Sequence, residues 1–151
     1  MSRSTAWRAA IAICALTLIL DQATKQAAIE ELVGRSPIEL PLGFELDYVT
    51  NTGIAFGFLD NGEGLVIAIT LIALGLLVGW FASDPTRPRL WLAAGLLIGG
   101  ALGNLADRVR DGAVTDFIDP PNWPAFNLAD VAITVGVVLL LITYLRQPSE
   151  K

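Results

Sequence analysis

The sequence predicts an integral membrane protein, mainly α-helical, built as a four-transmembrane-helix bundle with a small extracytoplasmic β element between spans one and two. The chain of 151 residues is 54% hydrophobic and only 17% charged, a composition outside the usual range of soluble domains. Four segments approach the roughly 20 apolar residues that a helix needs to cross a bilayer. At this length we expect a single membrane-embedded domain covering residues 1–151.

The four predicted spans lie at about residues 7–28, 64–82, 90–106 and 126–145. The first shares features with a signal peptide, because Arg3 and Arg8 precede its apolar core. That core continues into Asp21 and Lys25 and then becomes apolar again, without a convincing small-residue cleavage site. We therefore interpret it as a transmembrane span.

Lysine and arginine near the ends of the spans predict the orientation. With both termini in the cytoplasm, six of these residues lie inside and four outside: Arg3, Arg8, Arg87, Arg89, Arg146 and Lys151 against Lys25, Arg35, Arg108 and Arg110. Thirteen of the fifteen carboxylates then lie at or beyond the outer face. We predict cytoplasmic N and C termini.

The longest connection, residues 35–60, follows the first span. Within it, two sets of residues alternate in the manner of a half-buried strand: Phe44, Leu46 and Tyr48 with Glu45, Asp47 and Val49. The NTG stretch at 51–53 is typical of a turn. We expect a small β element that lies against the membrane surface.

Composition excludes several kinds of site. The chain has no histidine and a single cysteine, Cys14, which removes Ser-His-Asp and Cys-His arrangements, disulfide frameworks and typical transition-metal sites. Acid–base chemistry near neutral pH must then come from carboxylates, lysine or tyrosine. The net charge of -5 argues against a nucleic-acid partner. We predict no metal and no cofactor.

Polar residues that are costly inside a bilayer collect at one level of the predicted bundle. A charged side chain at the centre of a membrane helix costs about 2.5 to 3.5 kcal/mol, so such residues usually serve a purpose. Because spans one and three run outward and span four runs inward, the following all meet near the outer boundary: Asp21, Lys25, Asn104, Asp107, Arg108, Asp116, Asp119, Asn127 and Asp130. A conducting path would stagger its carboxylates across the membrane. This clustering favours a site over a path.

Each of these features also has a purely structural interpretation. Asn127 and Asp130 form a good helix start, in which an asparagine caps the first turn and an aspartate meets the positive end of the dipole. Asp21 and Lys25 are four residues apart and could form an interfacial ion pair. Arg108, four residues after Asn104, could simply snorkel. The glycines at four-residue spacing are typical of a close helix-packing face: Gly95, Gly99 and Gly103.

Asp116 is the residue that these structural interpretations leave unexplained. It lies in a predicted loop, AVTDFID, where a valine and a phenylalanine nearby should partly desolvate it and raise its pKa. If Asp130 lies beside it at about 4 Å, the two charges repel by roughly 4 kcal/mol at an effective dielectric near 20. Such a pair holds one shared proton across neutral pH and is an acid and a base at once.

Four motifs in order carry a family resemblance: DQATK (21–25), NTGIAFG (51–57), GGALGNLADRVRDGAVTDF (99–117) and PAFNLADVAITVG (124–136). Together they cover nearly all of the chain, and it resembles the lipoprotein signal peptidases, or signal peptidase II. That family consists of aspartyl proteases of the bacterial cytoplasmic (inner) membrane, which cleave lipoprotein precursors just before a diacylglyceryl-modified cysteine. The resemblance implies diacylglyceryl-modified prolipoprotein substrates and membrane lipid as partners.

The resemblance also implies roles for individual residues. Asp116 and Asp130 match the two catalytic aspartates, which activate a water for attack on the scissile carbonyl. The implied substrate-binding or supporting set is Asp21, Lys25, Asn51, Gly53, Phe56, Gly100, Asn104, Arg108 and Asn127. We expect Asp21 and Lys25 to be structural or orienting, and the strand region with Phe56 and Phe58 to cover the substrate.

Two functions from other classes use the same residues. A small ion- or proton-coupled carrier would use the aspartates for transport. A purely structural membrane bundle would need them only for stability. Replacement of Asp116 or Asp130 discriminates all three, because only the peptidase then loses cleavage.

Overall fold

The computed structural model describes residues 1–53 and 62–145 and confirms the predicted fold class. Its elements in chain order are α1 (Arg3–Leu32), β1 (Ile38–Glu39), a 3-10 turn (Pro41–Gly43), β2 (Glu45–Asn51), α2 (Gly62–Ser83), α3 (Leu90–Asp111), β3 (Val114–Asp119) and α4 (Leu128–Leu145). All four α-helices are long and apolar enough to cross a membrane.

The helices extend past the predicted spans at most of their ends. The longest, α1, has 30 residues and continues from the predicted end at residue 28 to Leu32. Helix α3 continues to Asp111 and stops where Gly112 adopts the left-handed conformation, with φ of 77°. Glycine adopts this conformation without steric cost, which explains why the helix ends there.

Contacts at the two ends of the bundle establish how the helices run. At one end, Ala6 and Ala10 of α1 pack with Phe81 near the C-terminus of α2 and with Leu90 at the start of α3. At the other end, hydrogen bonds join the second half of α1 to the C-terminal part of α3, and join both of these helices to the first turn of α4. Helices α1 and α3 therefore run in one direction and α2 and α4 in the other.

Helix α3 lies at the centre of the bundle and packs on the other three helices. Its predicted glycine face is confirmed as a close packing surface against α1. A Cβ at Gly95 would come within 2.8 Å of the Ala10 carbonyl oxygen, and one at Gly99 within 2.7 Å of the Cys14 carbonyl oxygen. Gly103 leaves room for the Asp21 carboxylate. The absence of side chains lets two backbones approach, as is common between membrane helices.

The end of the bundle away from the polar cluster is aromatic and basic. Trp7 and Phe81 pack edge to face with ring centroids 4.8 Å apart. Arg3 donates a hydrogen bond from Nη2 to the Ala82 carbonyl oxygen at 2.7 Å, near the C-terminus of α2. A cation at that position complements both an unpaired carbonyl and the negative end of the helix dipole.

A three-stranded antiparallel sheet in the order β1-β2-β3 covers the other end. The predicted β element between spans one and two is confirmed, but β3 comes from the α3–α4 connection. The prediction of a loop at AVTDFID is therefore wrong, because residues Val114–Asp119 form a strand on β2. Its partner lies far away in the sequence, so no local pattern indicates the pairing.

An irregularity in β2 changes the predicted alternation. Leu46 pairs with Ile118 and Val49 with Asp116, so three steps on β2 match two on β3. This extra residue is a bulge, which exchanges the faces of a strand. As a result, all residues from Glu45 to Val49 are half-buried instead of alternating. Beyond the bulge, Asn51 lies on the same face as Asp116.

We predict that Gly99→Ala destabilises the protein, because the new Cβ would meet the α1 backbone at 2.7 Å and force the helices apart. We expect a loss of about 1 to 3 kcal/mol in the free energy of unfolding, measured by denaturant titration in detergent micelles. The matched control is Gly75→Ala in α2, where the added Cβ meets nothing within 4 Å. The control should be neutral or slightly stabilising, since alanine favours helix more than glycine does. Equal effects of the two changes would contradict the packing argument.

Candidate active site

Lys25 is the centre of a polar cluster at the sheet-covered end of the bundle. Its side chain is almost completely buried. Nζ lies 2.9 Å from Asp21 Oδ2, 2.9 Å from Asp107 Oδ2 and 2.8 Å from Asn104 Oδ1. A lysine ammonium has three hydrogens to donate, and these three acceptors use all of them. The predicted Asp21–Lys25 ion pair is therefore present, but as part of a larger buried network.

The lysine determines how the Asn104 amide is oriented. Because an ammonium only donates, Asn104 must turn its Oδ1 towards Lys25. Its Nδ2 then points the other way and donates to Asp130 Oδ1 at 2.9 Å. Lys25 thus orients the Asn104 amide so that its Nδ2 donates a hydrogen bond to Asp130.

Asn127 caps α4 and at the same time connects the two candidate catalytic aspartates. Its Oδ1 accepts a hydrogen bond from the Asp130 backbone N–H at 3.0 Å, and its backbone N–H donates to Asp130 Oδ2 at 3.2 Å. This reciprocal pair is a capping box, so the predicted helix start is confirmed. Nδ2 of Asn127 points away from the helix, to Asp116 Oδ1 at 2.7 Å and to Asn104 Oδ1 at 3.1 Å.

Asp21 anchors the first turn of α4 to α1. Its Oδ1 accepts the backbone amide of Ala129 at 2.9 Å while Oδ2 holds Lys25. An anion at a helix N-terminus satisfies an amide that has no partner within the helix and complements the helix dipole. The interhelix contact fixes the position of Asp130, which lies one residue beyond Ala129.

Asp116 receives hydrogen bonds on both carboxylate oxygens. Asn127 donates to Oδ1, and Asn51 Nδ2 donates to Oδ2 at 2.9 Å. Asn51 is itself oriented by the predicted turn, because its Oδ1 accepts the Gly53 amide at 2.8 Å. Gly53 has φ of 72°, a conformation that favours glycine.

The electrostatic environment raises the pKa of Asp116 above its ordinary value of 3.8. Burial has the largest effect, because desolvation disfavours the charged carboxylate. The charge of Asp130 acts in the same direction. Hydrogen bonds from Asn51 and Asn127 and the charge of Lys25 oppose the rise. The predicted direction of the shift is therefore confirmed, and Asp130 lies close enough to contribute to it.

A cavity of about 390 Å³ opens onto Asp116. Its lining residues come from the end of β2, the following turn, β3 and the connection to α4: Val49, Thr50, Asn51, Thr52, Gly53, Asp116, Pro124 and Ala125. Backbone groups at a strand end and one desolvated carboxylate are thus accessible from the same space.

The structure places the other candidate residues around this cluster with one exception. Arg108 follows Asn104 by one helical turn and donates from Nη1 to the Asn104 carbonyl oxygen at 3.3 Å. Its Nη2 lies beside Gly53, 3.2 Å from where a Cβ would be. Gly100 packs against α4, and a Cβ at this position would collide with the Ala129 carbonyl oxygen. Phe56, together with Phe58, lies outside the described residues.

Two residues of the cluster were not among the candidates. Asp107 is fully buried and pairs with Lys25, and Gln22 Nε2 donates to Asp107 Oδ1 at 2.9 Å. Asp107 belongs to the group of costly polar residues noted in the sequence. Its spacing of three from Asn104 puts both residues on one helix face, a signal that could have indicated a shared partner.

Comparisons with known proteins agree with one another. A family model described as signal peptidase (SPase) II matches residues 13–146. The lipoprotein signal peptidase of Pelotomaculum thermopropionicum is 49% identical over 131 residues, which cover 85% of this chain and 86% of that protein. The lipoprotein signal peptidase of Nitratidesulfovibrio vulgaris is 35% identical over 158 residues, covering 98% of this chain and 96% of that protein.

A solved structure has the same fold. It is described as a bacterial membrane enzyme determined by the in meso method at 1.9 Å resolution. The two chains superpose with a TM-score of 0.84 and 34% sequence identity, over 92% of this chain and 94% of that one.

We predict that Lys25→Met strongly destabilises the protein, because it leaves the buried Asp21 and Asp107 carboxylates without their cation. Removing one partner of a buried ion pair typically costs about 3 to 5 kcal/mol. Unfolding titrations in detergent should give a loss of this size for Lys25→Met. The control Arg35→Met breaks the exposed Arg35–Glu31 pair and should cost at most about 1 kcal/mol.

Neutralising both carboxylates in the same protein tests the cause of that loss. The triple variant with Asp21→Asn, Lys25→Met and Asp107→Asn no longer carries an unpaired buried charge, so it should recover part of the stability. A triple variant less stable than Lys25→Met alone would contradict the electrostatic explanation.

Proposed function

The chain belongs to the signal peptidase II family, and from this membership and the geometry of the cluster we propose that it is an aspartic endopeptidase with Asp116 and Asp130 as its catalytic pair. As a lipoprotein signal peptidase it cleaves signal peptides from prolipoproteins. The proposed bond is the one just before the diacylglyceryl-modified cysteine.

One observation carries the assignment of the pair. Asn127 Nδ2 is shared between Asp116 Oδ1 and Asn104 Oδ1, and Asn104 Nδ2 donates to Asp130 Oδ1. Two carboxylates from different elements therefore contact one pair of asparagine amides. Their mutual repulsion favours a state with one proton on the pair, in which one member accepts a proton while the other donates.

The first half of the reaction uses both members of the pair. The ionised carboxylate removes a proton from a water molecule, whose oxygen attacks the scissile carbonyl carbon. The protonated carboxyl group gives its proton to the carbonyl oxygen. A neutral tetrahedral diol results, and the proton of the pair has moved from one aspartate to the other.

The second half breaks the carbon–nitrogen bond. The carboxyl group that took the proton from water gives it to the departing nitrogen of the lipid-modified cysteine, and the other carboxylate takes a proton back from the diol. Both protons are thereby accounted for, and the pair returns to its starting state. No covalent intermediate with the protein is required.

Donor groups around the pair suit the binding of peptide carbonyls. Among the described residues, Arg108 Nε is buried and has no hydrogen-bond partner. A buried guanidinium N–H without an acceptor is costly unless a ligand accepts a hydrogen bond from it. We assign it to a substrate carbonyl oxygen, together with the backbone groups at 51–53 that line the cavity.

The location of the cluster suits a lipid-bearing substrate. The diacylglyceryl chains remain in the bilayer, which holds the modified cysteine at the membrane boundary. We propose that the site end of the bundle is the outer, periplasmic face of the bacterial inner membrane. Arg3, Arg8, Arg87 and Arg89 lie at the opposite end of the helices, as expected for a cytoplasmic face with both termini inside.

We predict that Asp116→Asn and Asp130→Asn each bind a synthetic diacylglyceryl-cysteine peptide but cleave it about 100- to 10,000-fold more slowly than the wild type. Such a loss is expected when a general acid or base is removed. Binding and cleavage should be measured separately on purified protein in detergent. The matched control is Asp119→Asn, the same chemical change on the same strand. Cleavage by either pair variant at close to the wild-type rate would reject the assignment.

We predict that Asn51→Asp moves the acid limb of the kcat/KM profile to higher pH. The new carboxylate keeps an acceptor for the Gly53 amide but replaces the donor to Asp116 with a like charge. A like charge favours the protonated form and raises the pKa of Asp116. The pair needs one ionised carboxylate, so activity is lost as the pH falls through the lower of the two pKa values of the coupled pair, which the added negative charge raises.

With a higher pKa, this loss begins at a higher pH, by about one pH unit. The matched control is Asn122→Asp, which makes the same change at an exposed position of the β3–α4 connection. An acid limb that stays in place in active Asn51→Asp protein would show that Asp116 does not control it.

A further inference from the structure

Asp107 has no part in the proposed chemistry, although its carboxylate is fully buried and contacts residues of α1 and β3 besides its own helix. Oδ2 accepts Lys25 Nζ at 2.9 Å and the backbone amide of Thr115 at 3.3 Å. Oδ1 accepts Gln22 Nε2 at 2.9 Å and lies 3.5 Å from Arg110 Nη2. A single side chain of α3 thereby connects α1 to the backbone at the start of β3.

The backbone of Thr115 is held on both sides of its Cα, by one hydrogen bond to its N–H and another to its carbonyl oxygen. Its N–H donates to Asp107 Oδ2, and its carbonyl oxygen accepts Asn127 Nδ2 at 3.3 Å. Thr115 is buried and pairs with Thr50 of β2. Asp116 is the next residue of an extended strand, so the direction of its side chain follows from the placement of the Thr115 backbone.

Both members of the catalytic pair are therefore positioned relative to Lys25. One connection runs from Lys25 through Asn104 to the Asp130 carboxylate. The other runs from Lys25 through Asp107 to the Thr115 amide and on to Asp116. The connection through Asp107 has a charged residue in the middle, whereas the other has the neutral Asn104. A charged acceptor makes the hydrogen bonds of the Asp107 connection stronger.

We propose that Asp107 is a positioning residue for the peptidase reaction: by holding the Thr115 amide it fixes the start of β3 and so places Asp116 opposite Asp130. The inference rests on the proposed function, because positioning has a meaning only if Asp116 takes part in the reaction. A displacement on the order of 1 Å at a catalytic group can reduce the rate about 100-fold.

Asp107→Asn tests the proposal with little change of shape. The amide leaves Lys25 paired with Asp21 but offers one oxygen to three donors, on Lys25, Gln22 and Thr115. With a synthetic diacylglyceryl-cysteine peptide, we expect kcat to fall roughly 10- to 100-fold while KM stays within about threefold. A purely structural role would lower the thermal midpoint without separating kcat from KM.

The matched control is Arg110→Gln, which removes the half-exposed outer contact of Asp107 and leaves the inner ones intact. It should keep the wild-type kcat. A wild-type kcat in Asp107→Asn, or a loss of kcat that merely follows the fraction of folded protein, would overturn the proposal.

A second variant keeps the test decisive if Asp107→Asn does not fold. Replacing Thr115 by its α-hydroxy acid analogue turns the donor N–H into an ester oxygen and leaves the side chains unchanged. It should lower kcat at constant KM, and an unchanged kcat would overturn the proposal. Asp116→Asn, measured in parallel, separates the two questions: if it cleaves normally the proposed function fails, whereas an inactive Asp116→Asn with a normal Asp107→Asn rejects only the positioning role.

Discussion

The placement of one buried ammonium group, Lys25, governs the arrangement of the polar cluster. Transferring a charge of this kind from water to a low-dielectric interior is costly, so it must be fully surrounded by acceptors. Asp21, Asp107 and Asn104 supply them, and they come from α1 and α3. The requirement to satisfy Lys25 therefore fixes the rotation and the depth of α3 relative to α1. Gly95 and Gly99 allow the two helices to approach closely enough for these contacts.

The structural and chemical interpretations of the Asn127–Asp130 pair turn out to describe the same atoms. The capping box fixes the Asp130 side chain against the helix end, and it leaves the Asn127 amide nitrogen free to reach Asp116 and Asn104. A cap is normally a stabilising feature worth about 1 kcal/mol. Here it also restricts a carboxylate that a catalytic role would require to be held in one position.

How much the sequence predicts depends on the range of the interactions involved. Four spans and the capping of α4 follow from composition and local spacing, and both are confirmed. Asp21–Lys25 is likewise a local pair. By contrast, β3 depends on a partner more than sixty residues away along the chain, and the bulge in β2 that turns Asn51 towards Asp116 leaves no pattern in either strand. The motifs indicated which residues belong together, but not that Asp107 would hold the strand that carries Asp116.

The two proposed catalytic residues come from elements with different surroundings, and this difference matters for a hydrolytic reaction at a membrane boundary. Asp130 lies on the first turn of an apolar helix, whereas Asp116 lies on a strand outside the spans and borders a cavity of about 390 Å³. A carboxylate at full membrane depth would be costly to ionise and hard for water to reach. One in open water would keep its ordinary pKa and make a weak base near neutral pH. The hydrogen bonds that join α4 to β3 through Asn127 hold the two carboxylates between these extremes. The proposed reaction requires that position, because there a lipid-held peptide and a water molecule could meet.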